Sequence, residues 1–265
     1  HPDVRRMLLT QKAIAEGGRA MIYSTAQLAD KMFTAVLVGN QQQYEEFDSQ
    51  LGFFTPILKG FLTEMGLEAA NLGMQVYGGH GYIQEHGMEQ IARDARISTL
   101  YEGTTGIQAL DLLGRKVMVG TRGKCVRDFT AEVMRFAKPH ALSRGPLGKM
   151  ARSLIWRSLQ WNLLTTRLMM RSAKDRDQVG ASSVDYLMYS GYVMMGYHWA
   201  LQAAKASELL GSGAGQAPEE FYRTKIHTAE FYFARLLPRA DAHQRLAMAS
   251  TKSLLQIDKA HMQID

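Results

Sequence analysis

The sequence predicts an all-α protein. Three observations support this prediction: apolar residues recur at helical spacing through most of the chain, no alternation of apolar and polar residues persists, and no proline occurs between positions 57 and 138. Of the 265 residues, 46% are hydrophobic and 21% are charged. This composition is typical of one large or two small globular domains, and it excludes a disordered or collagen-like chain.

Two long helices are predicted first. Asp3 can cap a helix whose apolar stripe continues until Gly39. The polar residues 41–50 are expected to form a loop or an exposed helical turn. Thr55 followed by Pro56 is typical of a cap with proline at the first helical position, so a second helix is predicted to begin there and to end at the Gly78-Gly79 pair.

Shorter elements follow. Residues 80–87 are predicted to form a glycine-punctuated loop, and residues 88–98 a short helix. Residues 101–105 are predicted to break the helical pattern, with Thr104 capping a helix over 107–119. The apolar side chains expected to face inward in that helix are Ile107, Leu110, Leu113 and Val117.

Glycine and proline accumulate between residues 120 and 148, which indicates a boundary. We therefore predict a helical domain of residues 1–120, a linker with a short helix at 121–146, and a second helical domain at 147–265. The helices predicted from this point on are 126–137, 147–174, 183–210 and 218–256, the last of them broken at Pro238.

The charge distribution does not indicate a nucleic-acid partner. Residues 1–120 have 10 basic and 13 acidic side chains, a net charge of −3, and residues 121–265 have 21 and 12, a net charge of +9. The basic residues are spread along helical faces, without a basic loop interleaved with aromatics and without zinc-finger spacing. No apolar run approaches ~18 residues, so no membrane span is predicted.

Cys125 is the single cysteine, which excludes an internal disulfide and a multi-cysteine zinc site. It favours a reducing compartment, and a cytoplasmic location is predicted. The chain begins with His1 rather than Met and lacks a signal-type apolar segment, so we expect it to be a piece of a longer chain. The histidines at 80 and 86 lack the spacing of metal ligands, and no metal site is predicted.

The most informative feature is a carboxylate in the break between two apolar helices. Glu102 follows Leu100 and Tyr101 and precedes Gly103. We expect the apolar neighbours to desolvate this carboxylate partly, which is the environment that a general base needs. The alternative is an exposed glutamate that serves only to cap a helix.

Three segments resemble the C-terminal domain of flavin-dependent acyl-CoA dehydrogenases, in the family's order and spacing. They are residues 75–82 (QVYGGHGY), 93–96 (RDAR) and 101–104 (YEGT). The first eight residues and the helical stretch after 147 resemble the subgroup with an extra C-terminal helical domain, which includes dehydrogenases similar to the methylmercaptopropionyl-CoA enzyme. The resemblance implies a four-helix bundle followed by a second helical bundle.

The resemblance also implies a reaction and a cofactor. In the family the residue that matches Glu102 removes a proton alpha to an acyl-CoA thioester, while a hydride passes from the beta carbon to FAD. Position 106, often glutamine in the family, is glycine here, so that flavin contact must be absent or supplied otherwise. The implied flavin contacts are Gln75, Gly78, Gly79 and Thr104, and the implied substrate contacts are Tyr101 and Gly103.

The family further implies a role in fatty acid beta-oxidation and lipid metabolism, an electron-transfer flavoprotein as electron acceptor, and a homodimer or homotetramer. Two alternatives stay open: an acyl-CoA oxidase, in which oxygen reoxidises the flavin, and a non-catalytic helical scaffold of the same fold. The isolated piece is expected to bind flavin poorly and to be inactive.

Overall fold

The computed structural model describes residues 1–262 and confirms the all-α prediction: no strand occurs among these residues. Three short 3-10 helices (Gly78–Tyr82, Gln84–His86 and Lys259–Met262) accompany the α-helices, and α4 continues as a π-helical segment, Asp111–Gly120. The α-helices are α1 (Pro2–Leu37), α2 (Gln41–Val76), α3 (Met88–Ile97), α4 (Thr105–Leu110), α5 (Lys124–His140), α6 (Pro146–Ser172), α7 (Asp177–Ser212), α8 (Glu219–Arg235), α9 (Arg239–Ala247) and α10 (Lys252–Leu255).

The start of α2 differs from the prediction. The helix begins at Gln41, because the Asn40 side chain accepts a hydrogen bond from the amide of Gln43 at 3.1 Å and so caps it. Pro56 is buried inside α2, and Thr55 donates to the carbonyl of Leu51 instead of capping a new helix. A proline in a helix interior costs about 3 kcal/mol, and the buried rings of Phe53 and Phe54 hold the helix in the core across it.

The inward face of α4 and its π-helical extension also differs from the prediction. Ile107 is 57% exposed and Leu110 is 42% exposed, whereas Leu113 and Val117 are buried as predicted. The prediction assumed an uninterrupted 3.6-residue repeat, but the π-helical turns from Asp111 onward change the repeat. The predicted loop at 80–87 forms two short 3-10 helices instead.

Helix α7 is the centre of the molecule. Every residue from 186 to 200 is buried, and α7 contacts α1, α2, α4, α6, α8 and α9. A helix that is apolar on all sides is stable only when it is enclosed by other elements. The described residues form one apolar core around it, which includes Phe61 of α2 and Trp161 of α6.

Gly191 allows α2 to approach α7 closely. A Cβ at this position would lie 2.1 Å from Cγ of Phe61, which is far inside van der Waals contact. Phe61 is fully buried and packs edge-on against Tyr192, with 5.0 Å between the ring centroids. The Phe61 ring therefore occupies the space that a side chain at position 191 would fill.

The division into two domains stays a prediction. Phe53 and Phe61 belong to the first predicted domain, yet they share their core with α7 of the second. The predicted linker contains α5, whose residues Val126, Phe129 and Val133 are buried in the same core. Among the described residues no helix is long and apolar enough to cross a membrane.

A largely buried ion pair joins α1 to α8. Lys225 Nζ lies 2.7 Å from Glu16 Oε2, and the two side chains are 20% and 16% exposed. Lys12 pairs with the other oxygen of Glu16. Burial acts to raise the pKa of Glu16, but the hydrogen bonds from the two lysines outweigh it, and the pKa lies below its ordinary value of 4.5.

We expect Glu16→Gln to lower the free energy of unfolding by about 1–2 kcal/mol at neutral pH, between the values of exposed and fully buried pairs. Because the folded-state pKa of Glu16 is lowered, its stabilisation is present above the unfolded pKa and is lost as the pH falls. Urea titrations from pH 7 down to about pH 3 should therefore show a constant difference above the ordinary pKa of 4.5 and a shrinking one below it. Glu208→Gln, in an exposed pair on α7, is the control and should change little.

Candidate active site

The turn between α3 and α4 holds the predicted base. α3 ends at Ile97, and the turn is closed by a hydrogen bond from the amide of Thr105 to the carbonyl of Thr99 at 3.3 Å. The Thr104 hydroxyl accepts from the amide of Ile107 at 3.4 Å and caps α4, as predicted. The turn is therefore fixed at both ends, with Glu102 at its tip.

Glu102 and Gly103 both have left-handed backbone conformations, with φ of 53° and 89°. For a residue with a Cβ such a conformation costs about 1–2 kcal/mol. Gly103 is constrained further, since a Cβ there would lie 2.8 Å from Nε2 of Gln108. A strained glutamate next to a required glycine indicates that neighbouring groups enforce the shape of this turn.

Three side chains outside the turn supply that enforcement. Lys59 of α2 donates to the carbonyl of Gly103 at 2.6 Å, and Gln108 of α4 donates to the carbonyl of Glu102 at 3.2 Å. The hydroxyl of Thr105 donates to Glu64 of α2 at 2.6 Å. Lys59 and Glu64 were not predicted, because no local pattern relates α2 to a turn more than 40 residues later. Gln108 was also not predicted, although it is only six residues from Glu102.

The expected desolvation of Glu102 is not found in this chain. Glu102 is exposed, and its carboxylate forms no hydrogen bond or ion pair within residues 1–262. The reason is that Leu100 and Tyr101 are themselves about half exposed and do not cover it. The backbone amide of Glu102 likewise donates to no acceptor in the described part of the chain. The tip of the turn thus presents a carboxylate and an amide donor, both available to another molecule.

The second predicted cluster lies at the far end of α2. Gln75 is exposed in the last turn of the helix, and Gly78 has φ of 61°. A Cβ added to Gly78 or to Gly79 would meet no atom within 4 Å, so the backbone here is open. Gly81 is the glycine that the chain itself requires, because a Cβ there would lie 2.2 Å from the carbonyl oxygen of Met74. No local pattern in the sequence distinguishes these two kinds of glycine.

An open groove between α2, α4 and α7 runs along this side of the molecule. It brings together Gln75 and Thr105, whereas Glu102, Gly103 and Thr104 do not line it. Both carboxylates of the groove are engaged: Glu64 accepts from Thr105, and Glu68 pairs with Arg239 of α9 through bonds of 2.7 and 2.9 Å.

Within the segment RDAR at 93–96, Arg96 contacts the turn, whereas Asp94 bonds within α3. Arg96 donates to the hydroxyl of the buried Thr99, and Asp94 accepts from Gln90 at 2.7 Å.

The rings of His80 and His86 contact each other with their centroids 5.4 Å apart. Within residues 1–262, no three side chains of histidine, cysteine, aspartate or glutamate are grouped as a metal site would require.

Two family models match consecutive parts of the chain. Residues 1–118 match the model described as the C-terminal domain of acyl-CoA dehydrogenase, and residues 129–258 match the model described as acetyl-CoA dehydrogenase C-terminal like. Together they account for most of the chain, including the turn with Glu102.

Similar proteins carry related names. The 3-methylmercaptopropionyl-CoA dehydrogenase of Ruegeria pomeroyi is 38% identical over 93% of this chain, and the broad-specificity linear acyl-CoA dehydrogenase FadE5 of Mycobacterium tuberculosis is 32% identical over 98%. The chain spans only 41% and 43% of their lengths. An acyl-CoA dehydrogenase from Bacillus anthracis, solved in complex with FAD, shares the fold with a TM-score of 0.73 and 17% identity, over 93% of this chain and 42% of its own.

Proposed function

This chain belongs to the acyl-CoA dehydrogenase family, and we propose that it forms the C-terminal part of an FAD-dependent enzyme that desaturates acyl-CoA thioesters. The observation that carries the proposal is the left-handed turn, which presents the carboxylate and the backbone amide of Glu102 without partners among residues 1–262. An alpha,beta-desaturation needs a base for the alpha proton and a donor for the thioester oxygen.

In this proposal the Glu102 carboxylate removes the alpha proton of the thioester. The amide of Glu102 donates to the thioester oxygen, where negative charge develops as the proton leaves. Bound FAD supplies the acceptor for the hydride of the beta carbon. Tyr101 and Gly103 flank the reacting carbons, and the left-handed pair sets the direction of the carboxylate.

The residues proposed to contact FAD fit such a group. Gly79 has an ordinary backbone conformation and open space around it, so nothing in the described part of the chain requires a glycine there. A close approach by another molecule would require one. Gln75 is exposed and has an amide to donate, and the Thr104 hydroxyl, although it accepts from Ile107, still has its own hydrogen to donate.

We propose that the rest of the enzyme covers the turn. The segment that includes Glu102 carries five apolar side chains that are 42–57% exposed in this chain: Ile97, Leu100, Tyr101, Ile107 and Leu110. An exposed apolar cluster of this kind is typical of a surface that contacts another molecule. Covering it would exclude water from the carboxylate and strengthen it as a base.

The remaining proposals come from the family resemblance. We propose that the complete enzyme acts in fatty acid beta-oxidation, forms a homodimer or homotetramer, and passes its electrons to an electron-transfer flavoprotein. Large apolar residues exposed on α1, among them Tyr23, Phe33 and Leu37, support a contact with a further domain or subunit.

Anaerobic mixing of the full-length protein with saturated straight-chain acyl-CoA esters tests the function. We expect the absorbance of the oxidised flavin to be lost and one enoyl-CoA to form per flavin. A 2,2-dimethylacyl-CoA, which lacks an alpha hydrogen, is the matched control and should leave the flavin oxidised. A flavin-loaded protein that no chain length reduces would refute the proposal. Peroxide release in air would identify an oxidase.

A further inference from the structure

Lys59 contacts the turn through its charged group. Its ammonium nitrogen lies 2.6 Å from the carbonyl oxygen of Gly103 and 5.8 Å from the centroid of the Tyr101 ring. Hydrogen bonds from a charged donor are stronger than neutral ones, and a cation over an aromatic face adds to the attraction. Lys59 therefore contacts two residues of the turn, one on either side of Glu102.

Apart from these two contacts, the charged group of Lys59 has no partner in the described part of the molecule. It forms no ion pair with a carboxylate there, unlike Lys225, which pairs with Glu16. A partly buried lysine without an acidic partner is uncommon, since burial of an ammonium group needs compensation. Here a backbone carbonyl and a ring provide that compensation.

The bonded carbonyl belongs to Gly103, the second residue of the left-handed pair. The carbonyl group of Gly103 can reach Lys59 only while the Gly103–Thr104 peptide keeps its orientation, and that orientation depends on the backbone conformations of Glu102 and Gly103, whose φ angles are 53° and 89°. Gln108 holds the preceding carbonyl, of Glu102, from the other helix. Of the two side chains that hold these carbonyls, Lys59 and Gln108, only Lys59 is charged.

We propose that Lys59 is a positioning residue for the proposed base: its ammonium group holds the Gly103 carbonyl and thereby keeps Glu102 in the left-handed conformation. This inference rests on the proposed function only for its catalytic consequence. The structural part, that Lys59 holds the turn, can be tested independently of any activity.

The structural part is tested by amide hydrogen exchange on this chain. The amides of Thr105 and Gln108 bond to carbonyls of Thr99 and Thr104, so they report whether the turn is closed. We expect Lys59→Met to speed their exchange at least tenfold, and Lys59→Arg, which keeps a cationic donor, to restore most of the protection. Lys149→Met, the same change at an exposed position on α6, should have no effect there. Equal exchange in Lys59→Met and the unmodified chain would overturn the proposal.

The catalytic consequence is tested in the full-length protein by stopped-flow reduction of the flavin. We expect Lys59→Met to slow reduction at least tenfold while the Kd of acyl-CoA changes less than twofold, with Lys59→Arg close to the unmodified enzyme. Unchanged flavin content excludes misfolding as the cause. If Lys59→Met reduces the flavin normally while Glu102→Gln does not, the positioning role is refuted. If Glu102→Gln is itself active, the proposed function fails, and the exchange result still decides whether Lys59 holds the turn.

Discussion

Replacing Glu102 by glutamine in the full-length protein is expected to slow flavin reduction by an acyl-CoA by about 10²–10⁴-fold, the usual contribution of a general base. Glutamine has the same shape as glutamate but cannot take up the alpha proton. The backbone amide of residue 102 is unchanged, so the proposed donor to the thioester oxygen is kept. Stopped-flow measurement of the oxidised-flavin absorbance gives the rate directly.

The same substitution should leave the fold and the cofactor intact. The Glu102 carboxylate is exposed and has no partner within residues 1–262, so the free energy of unfolding is expected to change by less than about 0.5 kcal/mol. Glu85→Gln, at another exposed carboxylate, is the matched control and should reduce normally. Full activity of Glu102→Gln would exclude Glu102 as the base.

Gly191→Ala is expected to destabilise the chain by about 2–3 kcal/mol, at the upper end of the usual cost of overpacking a core. The added methyl group would lie 2.1 Å from the Phe61 ring, and that ring cannot move aside because it is fully buried against Tyr192. The gain in helix propensity from alanine, about 1 kcal/mol, opposes this cost but does not outweigh it. Urea unfolding, with the m-value checked for constancy, measures the difference.

Gly180→Ala on the same helix is the matched control for this prediction. A Cβ at Gly180 meets no atom within 4 Å, so only the gain in helix propensity from alanine remains. We expect this variant to be more stable than the unmodified chain by about 0.5–1 kcal/mol. If both variants shifted stability in the same direction, the close approach of α2 to α7 would not be the determining contact.

Local signals in the sequence predicted most of the helices and the shape of the candidate site. Thr104 caps α4 and Pro238 lies between α8 and α9, because capping and helix-breaking act over a few residues. The break around Glu102 was predicted for the same reason. The resemblance to a known family then gave a role to a residue that local chemistry alone left undecided.

Long-range packing determined what the sequence analysis missed. Pro56 looks like a helix start, but the core keeps α2 continuous through it. The exposure of Glu102 depends on how far Leu100 and Tyr101 project, which no local pattern specifies. Lys59 was missed because its partner, Gly103, is 44 residues away.

The enclosure of α7 has a consequence for synthesis on the ribosome. Phe61 can pack against Gly191 only after that glycine has been translated, 130 residues later. At usual elongation rates this delay is on the order of ten seconds. During that interval the nascent α1 and α2 carry an uncovered apolar surface, so we expect the emerging chain to depend on chaperones until residue 200 has left the exit tunnel.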